Sequence, residues 1–192
     1  FSYIIFALIV HLGLGPIWDL PIYEMSNLFD FGYAILFACF AACVGWLFII
    51  CTRSLKQLFK KINSPIYIKT LLGGIILGVI AYYFPLTRYF GHHEINELIF
   101  RDSTLYFLIA ILIFKILAIS VTVTSGWRGG FIIPLFFVGA TLGLILHHFF
   151  PNINLALTII SCMAAINSCV TRTPMSTTIL LATLTGFDYL VP

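Results

Sequence analysis

The run KILAISVTVTSGWRGGFIIPLFFVGA, Lys115 to Ala140, decides the fold. Two apolar stretches are interrupted by Ser125-Gly-Trp-Arg-Gly-Gly130, and one lysine lies inside the first of them. The surroundings of this run are those of a bilayer. The 192 residues are 61% hydrophobic, 16% aromatic and only 9% charged, with a mean hydropathy of +1.08. A soluble domain carries about 25% charged residues, so there is too little charge here to cover a water-facing surface. Disordered and disulfide-stapled secreted classes are excluded by the same figures. Net charge is +3 from ten Lys and Arg scattered between apolar runs, which excludes a basic face for nucleic acid. The expectation is an all-α, polytopic integral membrane protein with tilted and broken helices.

Outward from that run, the chain divides into apolar segments of about 20 residues or fewer, the length that crosses a bilayer. They are read as spans over about 1–14, 31–52, 66–86, 104–124, 131–150, 155–170 and 175–191. The first is too short to cross. The chain opens on Phe1 without an initiator Met and stops at Pro192 in an unfinished apolar pattern, so residues 1–192 read as part of a membrane domain, a fragment of a longer protein. Segment 15–30 carries Asp19, Glu24 and Asp30 and no Lys or Arg, whereas Arg53, Lys56, Lys60 and Lys61 follow the next span. By the positive-inside rule loop 53–64 is cytoplasmic and the acidic segment is outside. Residues 87–102 then form a mixed-charge outer loop. Gly73, Gly74 and Gly78 give their span a small-residue face for close packing.

Non-helical backbone at membrane depth is tolerated only where it is buried in protein or lines a polar cavity. Many transporters present broken-helix ends to an ion in this way. In Gly126-Trp-Arg-Gly129-Gly130-Phe131-Ile132-Ile133-Pro134 the Gly pair allows positive φ and close backbone approach. Pro134 falls in the first helical turn, where a missing N–H costs nothing. The N–H groups of about Phe131 and Ile132 then point outward from the positive end of a helix dipole, an anion site made of backbone. The plainer reading is a Gly-Gly turn between two packed helices. Both stand on spacing alone.

These residues resemble a family. Lys115-Ile-Leu-Ala-Ile-Ser-Val-Thr-Val-Thr-Ser125-Gly126, followed by Gly129-Gly130-Phe131-Ile132-Ile133-Pro134 and Gly139-Ala140, is similar to the second signature region of the CLC chloride channels and proton-coupled chloride transporters. Met163-Ala-Ala and Arg172-Thr-Pro174-Met-Ser resemble that family's small-residue helix and its Arg-x-Pro turn. The resemblance implies the second half-repeat of the CLC fold, with anion transport as channel or H+/Cl- exchanger. It implies a central anion bound by amides at Phe131 and Ile132, with Gly129, Gly130 and Pro134 shaping the loop. Lys115, Ser125, Arg128 and Arg172 would serve as pathway or structural support. It further implies chloride or another small anion as partner, with protons in the exchanger case, and a homodimer in the cell membrane. No cofactor, metal or enzymatic activity follows from it. Ile132 replaces the family's usual Phe, and Thr183 stands where many members place a Glu. The family's gating glutamate, proton-relay glutamate and serine loop belong to the first half, and its anion-binding tyrosine lies beyond Pro192.

Other residues have two readings each. Lys115 is costly at midspan, so it faces a polar cavity or locks helix-end carbonyls. His93-Glu94-Ile-Asn-Glu97 lacks the second His of a zinc protease motif and reads as a solvated loop. His147-His148 precedes Pro151 at a helix C-terminus, an interfacial place. Arg172 caps carbonyls in a buried turn, anchors at the interface, or touches the anion. Asn167 and the Ser and Thr of 171–178 make interhelical hydrogen bonds. Cys39, Cys43, Cys51, Cys162 and Cys169 read as small packing residues. The rivals are a transporter of fluoride or a small organic acid, an intramembrane enzyme using His92, His93 and Glu94, and a non-transporting scaffold.

Overall fold

A computed structural model describes Trp18, Leu20 and residues 28–62, 65–88, 91–100, 103–127 and 129–185. The elements among them are helical: α1 (Leu28–Lys61), α2 (Ile66–Tyr83), a 3-10 turn (Pro85–Thr87), α3 (His92–Phe100), α4 (Leu105–Ser125), α5 (Ile132–Phe149), α6 (Leu155–Thr171) and α7 (Pro174–Thr185). Helices α1, α2, α4 and α5 are long and apolar enough to cross a membrane, while α6 and α7 are shorter apolar helices. The expected span 1–14, the part of 175–191 beyond Thr185, and Arg128 lie outside the described residues.

Helix α1 does not end where its apolar run ends. Arg53 to Lys61 contains no Pro or Gly, so nothing breaks the hydrogen-bond ladder, and Lys60 and Lys61 occupy the last turn, at the negative end of the dipole. The segment read as loop 53–64 is therefore helical to Lys61. A second correction concerns residues 87–102, read as a mixed-charge loop with a solvated stretch at His93–Glu97. Ile95, Leu98 and Ile99 repeat at helical spacing, Glu94 sits in the first turn, and that stripe folds as α3, with Ile95 at 0% and Leu98 at 1% exposure. Within segment 15–30 Trp18 is buried, its backbone N–H donates to Leu184 O at 3.2 Å, and its ring meets Phe136 edge-on at 5.6 Å.

Helix α5 is apolar on every side, as a helix must be that is buried all round. Leu135, Phe136, Phe137 and Val138 are all at 0% exposure, dividing between two apolar clusters. It packs most extensively on α6, and α1 in turn packs on α6 and α4. The α5–α6 approach is set by glycine: a Cβ on Gly139 would lie 2.5 Å from Met163 Cα, and one on Gly143 2.6 Å from Ile159 Cα. Side chains on the outer faces of α1 and α2, such as Phe29, Trp46, Tyr67 and Val79, stay exposed, an apolar surface of the kind that lipid or further protein covers. The short α6 begins at Asn154, whose side chain accepts from the Ala156 N–H at 2.8 Å. It ends at Arg172 in the left-handed region, φ 59°.

Candidate anion site at the start of α5

The break between α4 and α5 is pinned by α2. Gly126 ends α4 with φ +97°, and the Trp127 indole N–H donates to Thr70 O at 3.1 Å. Thr70 Oγ1 donates to Ser125 O at 3.0 Å, and Gly73 admits the Ser125 side chain so closely that a Cβ there would collide with it. Gly73 thus meets the expectation of a close-packing face, whereas Gly78 has open space beside it. Ser125 is a buried part of this crossing, not a wall of the cavity described below.

Gly129 and Gly130 act differently from the expectation. Neither has a positive φ, and a Cβ on either would meet nothing within 4 Å. The left-handed turn is made by Gly126, so the pair contributes bare, accessible backbone and not a strained conformation. Phe131 is the N-cap of α5, and the first ladder bond runs from Leu135 N–H to Phe131 O at 3.0 Å. The amides of Phe131, Ile132 and Ile133 precede that ladder and have no helix carbonyl behind them, and Pro134 has no N–H to leave unpaired. The buried Asn167 amide lies 3.3 Å from Ile132 O and 3.2 Å from Phe136 N. With its nitrogen toward the former it bridges α6 to the first turn of α5.

That loop opens on a cavity of about 410 Å3. Gly129, Gly130, Phe131 and Pro134 form one wall, Lys115, Ala118, Ile119 and Thr122 of α4 another, and Gly78, Ile80 and Ala81 of α2 a third, with Thr87 and Arg88 at the turn. Four of the five loop positions singled out in the sequence thus meet Lys115 at one space, while Ile132 is not among the lining residues. Lys115 is 1% exposed. Its Nζ donates to Thr87 O at 3.4 Å and sits 4.5 Å from the centre of the Phe137 ring, a cation–π distance. Both readings of this lysine meet in one place, since it holds the 3-10 turn and borders the cavity. Arg88 was not singled out in the sequence. Its Nε donates to Ala81 O at 3.0 Å, and only the fold-back of Pro85–Thr87 brings it to the cavity.

Other candidates lie elsewhere. Arg172 is exposed, not in a buried turn, and is absent from the cavity wall; the cap it provides is its backbone N–H on Ser168 O at 2.9 Å, not its guanidinium. Ser168 Oγ and Thr177 Oγ1, 2.8 Å apart, join α6 to α7, an interhelical hydrogen bond of the expected kind. His147 and His148 border a separate crevice of about 550 Å3 with Ser103, where His147 Nδ1 and Ser103 Oγ are buried without a hydrogen-bond partner. Cys162 is packed at 0% exposure, its Sγ 4.0 Å from Phe37 O, whereas Cys39 and Cys43 are on the exposed face of α1. Among the described residues no three His, Cys, Asp or Glu gather as metal ligands.

Comparison with known proteins gives a consistent answer. The profile of the voltage gated chloride channel family matches residues 2–192. An uncharacterized protein of Methanocaldococcus jannaschii is 33% identical over 191 residues, covering 100% of this chain and 48% of its own length. YfeO of Salmonella newport, named for ion transport, is 31% identical over 172 residues, covering 86% of this chain and 41% of its own. The crystal structure of a CLC-type fluoride/proton antiporter superposes with a TM-score of 0.76 at 20% identity, covering 94% of this chain and 46% of that one. The chain therefore spans about half the length of the curated relatives it matches.

Proposed function

From the premise that this chain belongs to the voltage-gated chloride channel family, we propose that it builds one half of an anion pathway through a membrane, with chloride as the first substrate to test. The observation that carries this reading is the convergence of the α5 first turn and the buried Lys115 on one cavity. Amides at the positive end of a helix attract an anion without a covalent or strongly basic partner. Lys115 and Arg88 add positive potential while Thr87 O keeps the ammonium oriented. Such binding is strong enough to admit an ion and weak enough to release it, as conduction requires.

The sharing of a fold with a fluoride/proton antiporter makes fluoride the second anion. Proton-coupled exchange and channel conduction both remain readings of the same wall. Two copies associate through α7 and the chain's first segment, as the family resemblance implies, and the basic end of α1 lies in the cytoplasm. The test is ion flux in proteoliposomes holding the full-length parent protein, with chloride and fluoride, with and without a proton gradient. Anion-driven proton uptake assigns an exchanger and anion flux alone a channel. Absence of flux of either anion under every gradient refutes transport.

A further inference from the structure

Helix α1 carries its charge in a pattern that crossing a membrane does not require. Its apolar run 31–52 covers about 33 Å, a little more than a hydrocarbon core of about 30 Å, so Arg53 stands at the edge of the lipid tails. The helix continues to Lys61, about 12 Å further, through a headgroup layer about 5–8 Å deep on each side of the core. At about 100° per residue, Arg53, Lys56 and Lys60 fall within an arc of about 60°, with Lys61 on its flank. All four are exposed, whereas Leu55 is half-buried and Phe59 is 5% exposed, so apolar contact with the protein fixes which way the basic stripe faces. The described helices offer these charges little compensation. Those that pack on α1 are α4, α5 and α6, and neither they nor α2 contain an Asp or Glu. The acid of α1 itself, Asp30, is in the first turn, about 34 Å along the axis from Arg53. Lys60 and Lys61 in the last turn gain from the helix dipole, an effect that fades before Arg53 and Lys56.

We propose that the basic end of α1 is a docking surface for anionic phospholipid headgroups, with phosphatidylglycerol as the species to test. The inference is independent of the anion-site reading and needs only that α1 crosses the bilayer. Orientation in the membrane depends on the sign of these residues, which a loop supplies equally well. A stripe held on one side of a continuous helix, at the depth of the phosphates, presents several cations to the same headgroups. The lysine ammonium groups donate to phosphate oxygens as point charges, and the Arg53 guanidinium can do so in bidentate fashion. Exposed Leu58 offers apolar contact beside them. Phosphatidylcholine carries the same phosphate, but its choline cation cancels the charge, so net charge is what the surface discriminates.

The experiment is titration of a fluorescent phosphatidylglycerol into the full-length parent in neutral detergent micelles, with a phosphatidylcholine bearing the same fluorophore as control. The parent is expected to bind phosphatidylglycerol tighter by on the order of tenfold or more. Lys56→Gln and Lys60→Gln should each weaken phosphatidylglycerol about fivefold, the share of one basic residue near an anionic surface, and leave phosphatidylcholine unchanged. Lys56→Arg and Lys60→Arg should keep the parent's affinity. Arg53, Lys61 and Lys69 stay in place in every variant and preserve the charge that orients the chain. Equal affinity of the parent for both lipids overturns the proposal. So does a preference that survives both Gln changes, or one lost equally with arginine. Where the Gln variants do not assemble, a photoactivatable phosphatidylglycerol crosslinked to the unaltered parent decides: attachment within 53–61 supports the surface, and attachment only elsewhere refutes it.

Discussion

Replacing Gly139 by Ala tests the packing that aims α5. The new Cβ would lie 2.5 Å from Met163 Cα, 2.8 Å from Met163 N and 3.1 Å from Cys162 C. All three are backbone atoms, so no rotamer change relieves the contact. Restoring an ordinary carbon separation of about 3.5–4.0 Å requires α5 and α6 to part by about 1 Å, and overpacking of this kind costs about 1–3 kcal/mol. Gly32 supplies the opposite sign, because a Cβ there meets nothing within 4 Å and it lies within α1. Gly32→Ala should stabilise by about 0.5–1 kcal/mol through helix propensity alone. Gly139 stands about 12 Å along the axis from Phe131, so the same displacement moves the amides of the first turn. The assay is reversible detergent unfolding of the full-length parent in mixed micelles, followed by anion titration of the variants that fold. Wild-type stability in Gly139→Ala, or loss of stability in both variants, would refute the close-contact argument.

The remaining predictions are smaller. Phe131→Pro removes one amide donor and is expected to weaken anion binding on the order of tenfold, the loss of one hydrogen bond to a charge; unchanged affinity in a folded variant would move the site off this loop. Lys115→Met should lower anion occupancy, read by titration, whereas an effect confined to assembly would make the lysine only a brace for Thr87. Thr177→Val deletes the 2.8 Å hydroxyl pair with Ser168 and should cost about 0.6–1.7 kcal/mol in the same unfolding assay. Cysteine labelling should reach position 57 from the cytoplasm and position 26 from outside, and the reverse pattern overturns the orientation.

Much of this was legible in the sequence for identifiable reasons. Hydropathy and glycine placement pointed to a multi-pass helical protein, because a bilayer penalises charge and unpaired backbone so severely that few alternatives survive. The loop before Pro134 was legible because a helix start is built from local chain, with no distant partner needed. Residues joined by long-range contact were harder. Arg88 comes to the same cavity as Lys115 only after the turn at Pro85–Thr87 folds back, and a three-residue turn leaves no periodic signal. In 87–102 the charges mask the Ile95, Leu98 and Ile99 stripe that folds as α3. The role given to Gly129 and Gly130 was misplaced by a few residues, since positive φ at Gly126 already turns the chain.

The unbroken course of α1 has a mechanical consequence. Its 34 residues extend about 51 Å at 1.5 Å each, well beyond a hydrocarbon core of about 30 Å. Midway along, Gly45 rests against Cys169 of α6, where an added Cβ would lie 3.2 Å from that residue's own. From this fulcrum to Lys61 is about 24 Å of continuous rod, so rocking α1 by about 5° swings its basic tip by about 2 Å. Whatever grips Lys56, Lys60 and Lys61 outside the bilayer therefore has leverage on α6, and through Asn167 on the first turn of α5.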